Sequence, residues 1–354
     1  MVVGQGVLKD VGILAKMIAP SARKVAIVTD TNVADLFGLG VESKLIEAGF
    51  SVHPLSVAPG EGSKSWTVAG EVLEALAELR LERGDLVLAL GGGVVGDLAG
   101  FAAATYLRGI SFVQVPTTLL AQVDSSVGGK TGVDLRAGKN LAGAFKQPLI
   151  VIADTDVVTS LPGAEWASGS AEIAKSAVIS GDDFTCWLEG NGPALVARDA
   201  HAVTEAVRRS VAFKSLVVST DEKEAGEREC LNYGHTLGHA LETAAGFGVI
   251  PHGLAVAEGM RFASRLAVDV AGASREFVRR QDELLDLLGL PSMAEQLPVA
   301  ELLAAMHGDK KTRQGTVRFV LATAPGEWSC EPVPDDLISE HLEAWFASKK
   351  EVVQ

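Results

Sequence analysis

The sequence predicts an α/β protein in which a Rossmann-like domain with a parallel sheet is followed by a mainly α-helical domain. In the first part, four short β-rich runs alternate with amphipathic helical patterns, an order typical of a parallel sheet covered by helices. From about residue 160 onward, long helical periodicities dominate. A glycine-rich turn follows one of the β-rich runs, and three closely spaced histidines lie among the later helical patterns.

The individual elements follow from these periodicities. The first part contains predicted strands at 24–30, 86–90, 112–116 and 149–153, and predicted helices near 33–48, 66–82 and 94–107. The second part contains one β-rich run at 316–322 and predicted helices near 164–180, 198–218, 230–246, 253–271, 274–288, 296–307 and 335–348. The change of pattern places a domain boundary within 150–162. We therefore assign residues 1–155 to the α/β domain and residues 156–354 to the helical domain.

The composition excludes several classes of protein. The chain has 354 residues, of which 47% are hydrophobic, and a formal net charge of -14. Such an acidic chain is a poor candidate for binding nucleic acid or an anionic membrane surface. Its three cysteines are too scattered for a disulfide framework, and no basic segment followed by an apolar one opens the sequence. These features predict a cytoplasmic protein without a membrane span.

The glycine-rich turn at 91–97 reads Gly-Gly-Gly-Val-Val-Gly-Asp and lies between a predicted strand and a predicted helix. In that context the G-x-G-x-x-G spacing indicates a dinucleotide site, because glycines let backbone amides approach a pyrophosphate. The strand after the turn carries no acid for a ribose, so Asp30 at the end of the first strand is the substitute. Such a carboxylate favours NAD over NADP. Two alternatives stay open: the turn binds nothing, and Asp30 is a helix N-cap before Val33.

Three histidines form the second candidate site. His235 and His239 are four residues apart on one predicted helix face, and His252 precedes a glycine at the start of the next helix. Glu172 lies in a helix that is otherwise small and apolar, where a charge needs a partner. A carboxylate with two or three imidazoles is a donor set for catalytic zinc. The alternative is that these histidines cap helices or lie in the core.

Basic residues in glycine-rich or apolar surroundings form a third constellation. In an acidic protein they indicate recognition of phosphate and carboxylate groups. They are Lys130, Lys139, Lys175, Lys214, Arg228, Lys310 and Lys311. The Gly-Lys-Thr at 129–131 imitates the end of a P-loop, but Ser125 replaces the required glycine and no strand directly precedes it, which excludes a P-loop NTPase.

Taken in order, these motifs resemble the 3-dehydroquinate synthase family over nearly the whole chain. The matching segments lie at 59–64, 91–97, 106–109, 116–118, 124–132, 138–140, 171–175, 231–240, 252–253 and 309–311. Any one segment is modest evidence, whereas the ordered set is highly specific. One departure is Glu258, which stands where an apolar residue is commoner in the family.

The resemblance implies three groups of site residues. A divalent metal, usually zinc with cobalt as the alternative, would be held by Glu172, His235 and His252. NAD would contact Asp30, Asn32, Glu61, Lys64, Gly92, Gly93, Val94, Gly96, Asp97, Thr117, Thr118, Lys130, Lys139, Thr159 and Ser160. A phosphorylated sugar acid, the substrate, would contact Arg108, Asp124, Lys130, Asn140, Lys175, Lys214, Arg228, Asn232, His239 and Lys310, or Lys311 in place of Lys310. The resemblance thus moves His239 from a possible ligand to the substrate.

The resemblance also implies the reaction and its context. The family's enzymes are carbon–oxygen lyases of the shikimate pathway, which leads to chorismate and the aromatic amino acids. They convert 3-deoxy-D-arabino-heptulosonate 7-phosphate to 3-dehydroquinate and phosphate. Transient oxidation by NAD permits phosphate elimination, and re-reduction and aldol closure follow, so that NAD is not consumed. A homodimer is expected on the same ground.

Several other functions remain as alternatives at this point. An aminodehydroquinate synthase would have a similar pocket. An inosose synthase would be expected to carry an acid at the position of Lys214, whereas Lys214, Asn232 and His239 fit the dehydroquinate branch. An iron-type polyol dehydrogenase shares the two-domain plan, but the basic residues argue against it. A non-enzymatic protein that binds metal and nucleotide is disfavoured because acidic, metal-ligating and basic groups are all present.

Overall fold

The structure is a computed structural model that describes residues 1–222, 226–246, 248–293, 297–308 and 316–352, without the side chains of residues 350–352. Lys310 and Lys311, proposed from sequence to reach the substrate, lie outside the described residues. The chain divides into two compact units, Met1–Leu161 and Pro162–Gln354, which we call the α/β unit and the helical unit. The assignment of a domain boundary at residue 155 stays a prediction.

The α/β unit is built on a six-stranded sheet. Its strands and the two strands of a separate hairpin are β1 (Val2–Gly4), β2 (Lys24–Asp30), β3 (Ser51–Val57), β4 (Leu86–Gly91), β5 (Ser111–Pro116), β6 (Lys130–Leu135), β7 (Gly138–Phe145) and β8 (Ile150–Asp154). The sheet order is β1-β8-β5-β4-β2-β3, and every neighbouring pair is parallel. Strands β6 and β7 form the antiparallel hairpin. The predicted parallel α/β class is confirmed.

Helices cover both faces of the sheet. They are α1 (Val11–Ile18), α2 (Thr31–Val33), α3 (Leu39–Glu47), α4 (Trp66–Glu78) and α5 (Gly93–Thr105). Strand β4 explains the arrangement, because its six residues are all buried and alternate between two cores. Leu86, Leu88 and Leu90 pack with residues of α1 and α3, whereas Val87 and Ala89 pack with residues of α4 and α5. A strand buried on both faces is therefore apolar throughout.

The sequence patterns missed β3 and the β6–β7 hairpin. Strand β3 lies at the edge of the sheet and contains Pro54, which an edge strand tolerates but which weakens the pattern. In the hairpin, Gly132 faces Gly143 across the ladder, and a Cβ on Gly143 would lie 2.4 Å from the carbonyl oxygen of Thr131. The hairpin thus depends on a close backbone approach that period-two patterning does not reveal.

The helical unit contains eight helices and one hairpin in its described residues. They are α6 (Gly163–Ser180), α7 (Asp182–Val196), α8 (Ala200–Thr220), α9 (His235–Ala245), α10 (His252–Val270), α11 (Arg275–Leu287), α12 (Val299–Gly308), α13 (Asp335–Val352), β9 (Val317–Ala324) and β10 (Glu327–Val333). Helix α7 was not predicted, because Gly190, Gly192 and Pro193 lower its helical propensity. The helix predicted at 230–246 begins only at His235, after a 3-10 turn over Glu227–Asn232. Among the described residues, no helix is long and apolar enough to cross a membrane.

Glu258, the departure from the family pattern, anchors the C-terminal helix. Its buried carboxylate on α10 accepts hydrogen bonds from Trp345 Nε1 at 2.7 Å, from the backbone N–H of Met293 at 3.0 Å, and from Lys349 Nζ. Ser292 Oγ is a further donor at 3.2 Å. Four hydrogen-bond donors compensate the cost of burying this carboxylate. Two of them belong to α13, so the acid joins α13 to α10, the helix that begins at His252.

Candidate nucleotide and metal sites

Most of the nucleotide residues expected in the α/β unit follow the carboxyl ends of the strands of its sheet. All six strands are parallel, so their carboxyl ends meet at one edge of the sheet. The chain runs from β2 to β3 on one side and then to β4 and β5 on the other, so the strand order reverses between β2 and β4. Thr29 pairs with Leu90, which makes Asp30 and Gly91 neighbours across this point. Open α/β sheets bind ligands at such a topological switch point.

The glycine turn connects β4 to α5. Gly92 is the N-cap of α5, and the backbone amides that follow it lie at the positive end of the helix dipole, where a negative charge is favoured. A Cβ on Gly92 would lie 3.0 Å from Thr118 Cγ2, and one on Gly96 would lie 2.8 Å from Gln114 Nε2. A Cβ on Gly91 would lie 2.6 Å from Val95 Cβ. These glycines therefore serve close packing, and the turn they form presents backbone amides that a dinucleotide phosphate can approach.

Several expected nucleotide residues form a polar cluster. Lys64 Nζ lies 2.5 Å from Asp97 Oδ2, and Lys139 Nζ lies 3.7 Å from Glu61 Oε1. The carbonyl of Lys64 accepts a hydrogen bond from the backbone N–H of Asp134 at 2.8 Å, which joins the cluster to the hairpin. Burial lowers the pKa of Lys64, but the carboxylates of Asp97 and Glu61 raise it above its ordinary value. The lysine is therefore held as a cation.

The remaining expected nucleotide residues follow other strands of the sheet. Asp30 Oδ1 accepts a hydrogen bond from the backbone N–H of Val33 at 3.1 Å, so the N-cap alternative is confirmed for that oxygen. Asn32 is exposed just beyond it, and Thr117 and Thr118 follow β5. Thr159 and Ser160 follow β8. Val94, in the first turn of α5, is partly exposed.

Four expected substrate residues also lie in the α/β unit. Arg108 is exposed in a turn where both it and Leu107 have positive φ, 65° and 51°. Two successive non-glycine residues with positive φ are strained, as is common in functional turns. Asp124 lies in a π-helical turn, and Lys130 is exposed at the start of β6. Asn140 has a φ of 55°.

The helical unit brings Glu172, His235 and His252 together. One ligand atom of each residue lies within 4.8 Å of the others. Glu172 Oε1 is 3.4 Å from His235 Nε2 and 3.8 Å from His252 Nε2. Glu172 is 1% exposed on α6, and the histidines are the first residues of α9 and α10. Three helices thus each present one N or O donor, the set typical of a zinc site with an open position.

Hydrogen bonds orient both imidazoles. His235 Nδ1 lies 3.1 Å from the carbonyl oxygen of Tyr233, and His252 Nδ1 lies 3.0 Å from Glu242 Oε2. A carbonyl and a carboxylate accept hydrogen bonds but do not donate them, so each Nδ1 carries the proton. In the neutral imidazole, each Nε2 therefore presents a lone pair on the side of Glu172. Donation from the second ring nitrogen to an oxygen is typical of metal-binding histidines.

The electrostatics of this cluster favour a cation. In the described residues, neither buried oxygen of Glu172 has a hydrogen bond of normal geometry, although Lys175 Nζ and the two Nε2 atoms lie close. Burial raises the pKa of Glu172, but Lys175 and His235 hold it well below its ordinary range. Burial lowers the pKa of His252, yet Glu172 and Glu242 raise it to about 9. Without a metal, His252 is therefore protonated, and a divalent metal would take the place of its Nε2 proton beside the ionised Glu172 carboxylate.

Glycines let the ligand-bearing helices approach one another. A Cβ on Gly253 would lie 2.3 Å from Ser168 Cα on α6. A Cβ on Gly259 would lie 1.8 Å from the carbonyl oxygen of Gly234, which precedes α9. A Cβ on Gly238 would likewise lie 3.1 Å from the carbonyl oxygen of Ala255. The glycines of the histidine motifs are therefore required by packing between α6, α9 and α10, which fixes the positions of the three candidate ligands.

The other expected residues of the helical unit differ in how close they lie to this cluster. The His239 ring centroid is 5.2 Å from that of His235 and 6.2 Å from that of His252. Lys175 contacts Glu172, and Lys214 is buried on α8. Arg228 is 2% exposed, and its Nη1 donates to the carbonyl of Glu222 at 2.5 Å. Asn232 ends the 3-10 turn before α9.

Sequence reasoning missed Glu242 and the carbonyl of Tyr233. The signal for Glu242 was present, because it lies seven residues after His235 and three after His239, on the same face of α9. The contact of Tyr233 with His235 uses a backbone carbonyl, which no side-chain pattern predicts. His239 does not belong to the set of possible ligands in the described residues, and its assignment to the substrate stays a prediction.

Comparison with solved structures identifies proteins that share this fold. The chain superposes on 2-deoxy-scyllo-inosose synthase complexed with carbaglucose-6-phosphate, NAD+ and Co2+ with a TM-score of 0.87 and 26% identity, over 97% of this chain and 96% of that one. The TM-score is 0.89 for 2-epi-5-epi-valiolone synthase from Streptomyces hygroscopicus subsp. jinggangensis 5008 with NAD+ and Zn2+ bound, at 27% identity over 98% and 96%. Glycerol dehydrogenase from Schizosaccharomyces pombe, at 14% identity and a TM-score of 0.72 over 99% and 89%, shares the fold.

Comparison of sequences gives the family. Residues 54–168 match the family described as 3-dehydroquinate synthase N-terminal, and residues 169–312 match 3-dehydroquinate synthase C-terminal. The chain is 46% identical to the 3-dehydroquinate synthase of Caulobacter vibrioides, over 92% of this chain and 90% of that protein. It is 44% identical to that of Nitrosomonas europaea, over 98% and 93%. The chain belongs to the 3-dehydroquinate synthase family.

Proposed function

We propose that this protein is a 3-dehydroquinate synthase, a lyase that converts 3-deoxy-D-arabino-heptulosonate 7-phosphate to 3-dehydroquinate and phosphate. The observation that carries the proposal is the convergence of Glu172, His235 and His252, in a chain that is 44–46% identical to proteins of that name. Two structural relatives are described with NAD+ and with Co2+ or Zn2+, which supports NAD and a divalent metal as the cofactors.

The metal is assigned to Glu172, His235 and His252. When bound, it would supply a Lewis acid that polarises a substrate hydroxyl. The imidazoles keep their protons on Nδ1, and Lys175 beside Glu172 limits the net negative charge of the ligand set. Because all three ligands begin or lie within helices packed through glycines, they need little reorganisation to bind the ion.

NAD is assigned to the switch point of the α/β unit, where it would supply a hydride acceptor that is regenerated in each turnover. The amides after Gly92 would bind the pyrophosphate, and Asp30 would accept hydrogen bonds from a ribose. Asp30 has one oxygen bonded to Val33, which fixes the orientation of its carboxylate. Lys64 and Lys139 would supply positive charge beside the turn, each next to an acid that holds it in place.

The substrate is an anion, and its binding is assigned to basic residues. Lys175, Lys214 and Arg228 are buried basic side chains in a protein of net charge -14, and such side chains bind phosphate and carboxylate groups through charge-assisted hydrogen bonds. His239 lies beside the metal ligands, where it would hold or transfer a proton at its imidazole. Arg108, Asp124, Lys130, Asn140 and Asn232 are assigned to the same substrate from the family resemblance. We also propose that the protein is cytoplasmic and forms a homodimer. Size-exclusion chromatography with light scattering would test the homodimer by measuring its molar mass.

The activity is tested by phosphate release from the heptulosonate phosphate with NAD supplied below the substrate concentration. We expect many turnovers per NAD, no net NADH, and loss of activity when a chelator removes the metal, with recovery on adding Zn²⁺ or Co²⁺. Absence of phosphate release would contradict the proposal. Turnover only with an amino analogue would assign the aminodehydroquinate branch, and net NADH from a simple alcohol would assign a polyol dehydrogenase.

Replacing Asp30 with asparagine tests the nucleotide assignment. Asparagine is as good an N-cap as aspartate, so the stability of the protein should stay nearly unchanged. Loss of the charge-assisted bond to a ribose should weaken NAD binding by about 10-fold or more, since such bonds contribute roughly 1.5–3 kcal/mol. Titration calorimetry with NAD and NADP measures both affinities, and Asp35→Asn, an exposed acid in the next turn, is the control. Unchanged affinity for NAD would remove Asp30 from the site.

A further inference from the structure

We infer that Glu242 is a positioning residue for the metal, acting through His252. The inference rests on the metal site of the proposed function and adds a residue that the motifs did not single out. Glu242 fixes the tautomer and the orientation of the His252 imidazole and increases the electron density on its Nε2. Its removal should therefore weaken metal binding without removing a ligand.

The contact is direct and sheltered from water. Glu242 Oε2 lies 3.0 Å from His252 Nδ1, and the Glu242 side chain is 11% exposed. The other ring nitrogen of His252 lies 3.8 Å from Glu172 Oε1. The imidazole is thus held between two carboxylates, one on the side of the candidate metal position and one on the opposite side. A carboxylate accepting from a ligand histidine raises the basicity of that histidine.

The two candidate histidine ligands differ in what orients them. His235 Nδ1 donates to the backbone carbonyl of Tyr233 at 3.1 Å, which is a neutral acceptor within the same local turn. His252 is more exposed, 29% against 12% for His235, and its acceptor is an anionic side chain on another helix. His252 therefore depends on a long-range contact for its orientation, whereas His235 is oriented locally.

Helix α9 carries both parts of this arrangement. His235 and Glu242 are two turns apart on one face of α9, so one helix supplies a ligand and also orients a ligand on α10. The close packing of Gly238 against Ala255 keeps the two helices in contact. A purely structural role, in which Glu242 only joins α9 to α10, makes a different prediction: stability would fall while metal affinity stayed the same.

The test compares Glu242→Gln and Glu242→Ala with the wild-type chain in the absence of NAD and substrate. Zn²⁺ affinity is measured by competition with a chromophoric chelator, and the coordination geometry by the visible spectrum of the Co²⁺ form. We expect Zn²⁺ affinity to fall about 10- to 100-fold in Glu242→Ala. The fall should be smaller in Glu242→Gln, whose amide oxygen still accepts from Nδ1. Glu301→Gln, an exposed acid on α12, removes the same charge and should change nothing.

Circular dichroism melts distinguish a folding defect from a binding defect. Glutamine keeps the volume of the side chain, so Glu242→Gln should remain folded even if Glu242→Ala does not. Unchanged Zn²⁺ affinity and an unchanged Co²⁺ spectrum in a folded Glu242→Gln would overturn the inference, as would a wild-type chain that binds neither ion. A wild-type chain that binds Zn²⁺ but releases no phosphate would contradict the proposed activity and leave the role of Glu242 intact.

Discussion

Replacing Glu172 with glutamine is expected to abolish turnover and to weaken binding of Zn²⁺ by more than about 100-fold, because loss of an outer partner alone costs about 10- to 100-fold. The substitution removes the one anionic donor of the candidate ligand set. It also leaves the buried ammonium of Lys175 without its carboxylate, which is unfavourable in the protein interior. Chelator competition measures the metal affinity, and phosphate release measures the turnover.

A matched control lies on the same helix. Glu165 is exposed in the first turn of α6, so Glu165→Gln makes the same chemical change away from the ligands and should leave both measurements unchanged. A melting curve separates loss of metal from loss of fold. If Glu172→Gln lost turnover while keeping wild-type metal affinity, Glu172 would not be a ligand, and its role would be confined to holding Lys175.

The convergence of the candidate ligands could be predicted because each carries a local signal. Two histidines four residues apart share a helix face whatever the tertiary structure is. Glu172 stands out because α6 is almost entirely small and apolar, and a buried acid in such a helix needs a cation. His252 follows Pro251, which begins a helix. These short-range signals identify the candidates, but they also include His239, and only the family resemblance moved His239 from the ligands to the substrate.

Features that depend on tertiary contacts were harder to predict. The role of Glu242 depends on the position of α10 relative to α9, and the β6–β7 hairpin depends on the approach of Gly132 to Gly143. Helix α7 has weak local propensity and forms because its apolar residues, such as Leu188 and Leu195, are buried by other helices. In each case tertiary packing overrides a weak local preference.

The position of Asp30 illustrates an intermediate case. The sequence indicated that the expected acid was missing after the glycine turn and that Asp30, on an earlier strand, was the best substitute. The pairing of Thr29 with Leu90 gives the physical reason, because β2 is the neighbour of β4 in the sheet although β3 separates them in the chain. The role of Asp30 at the nucleotide stays a prediction, and its place beside the glycine turn became evident only from the strand order of the structure.

Replacing Gly259 with alanine is expected to destabilise the helical unit by more than about 3 kcal/mol, beyond the usual cost of adding one methyl group to a packed core. The new Cβ would lie 1.8 Å from the carbonyl oxygen of Gly234 and 2.8 Å from its carbonyl carbon. Both are backbone atoms, so no side-chain rotation relieves the overlap. Gly234 also has a φ of 77°, which restricts how the turn before α9 can adjust.

The relief of this overlap should also affect the metal. Gly234 directly precedes His235, so a shift of its carbonyl moves the imidazole relative to Glu172, and Zn²⁺ affinity should fall together with stability. Urea titration followed by tryptophan fluorescence reports mainly on this unit, because four of the five tryptophans lie in it: Trp166, Trp187, Trp328 and Trp345. The titration is run with the metal present and with a chelator.

The control is Gly190→Ala on α7. A Cβ on Gly190 meets no described atom within 4 Å, so alanine should stabilise its helix by up to about 1 kcal/mol through higher helical propensity. Both substitutions add one methyl group to a helical glycine, but they should change the free energy of unfolding in opposite directions. If Gly259→Ala unfolded at the same urea concentration as the wild-type chain, the close approach of α10 to the turn before α9 would be contradicted. The physical reason why His235 and His252 can share one ion would then be lost as well.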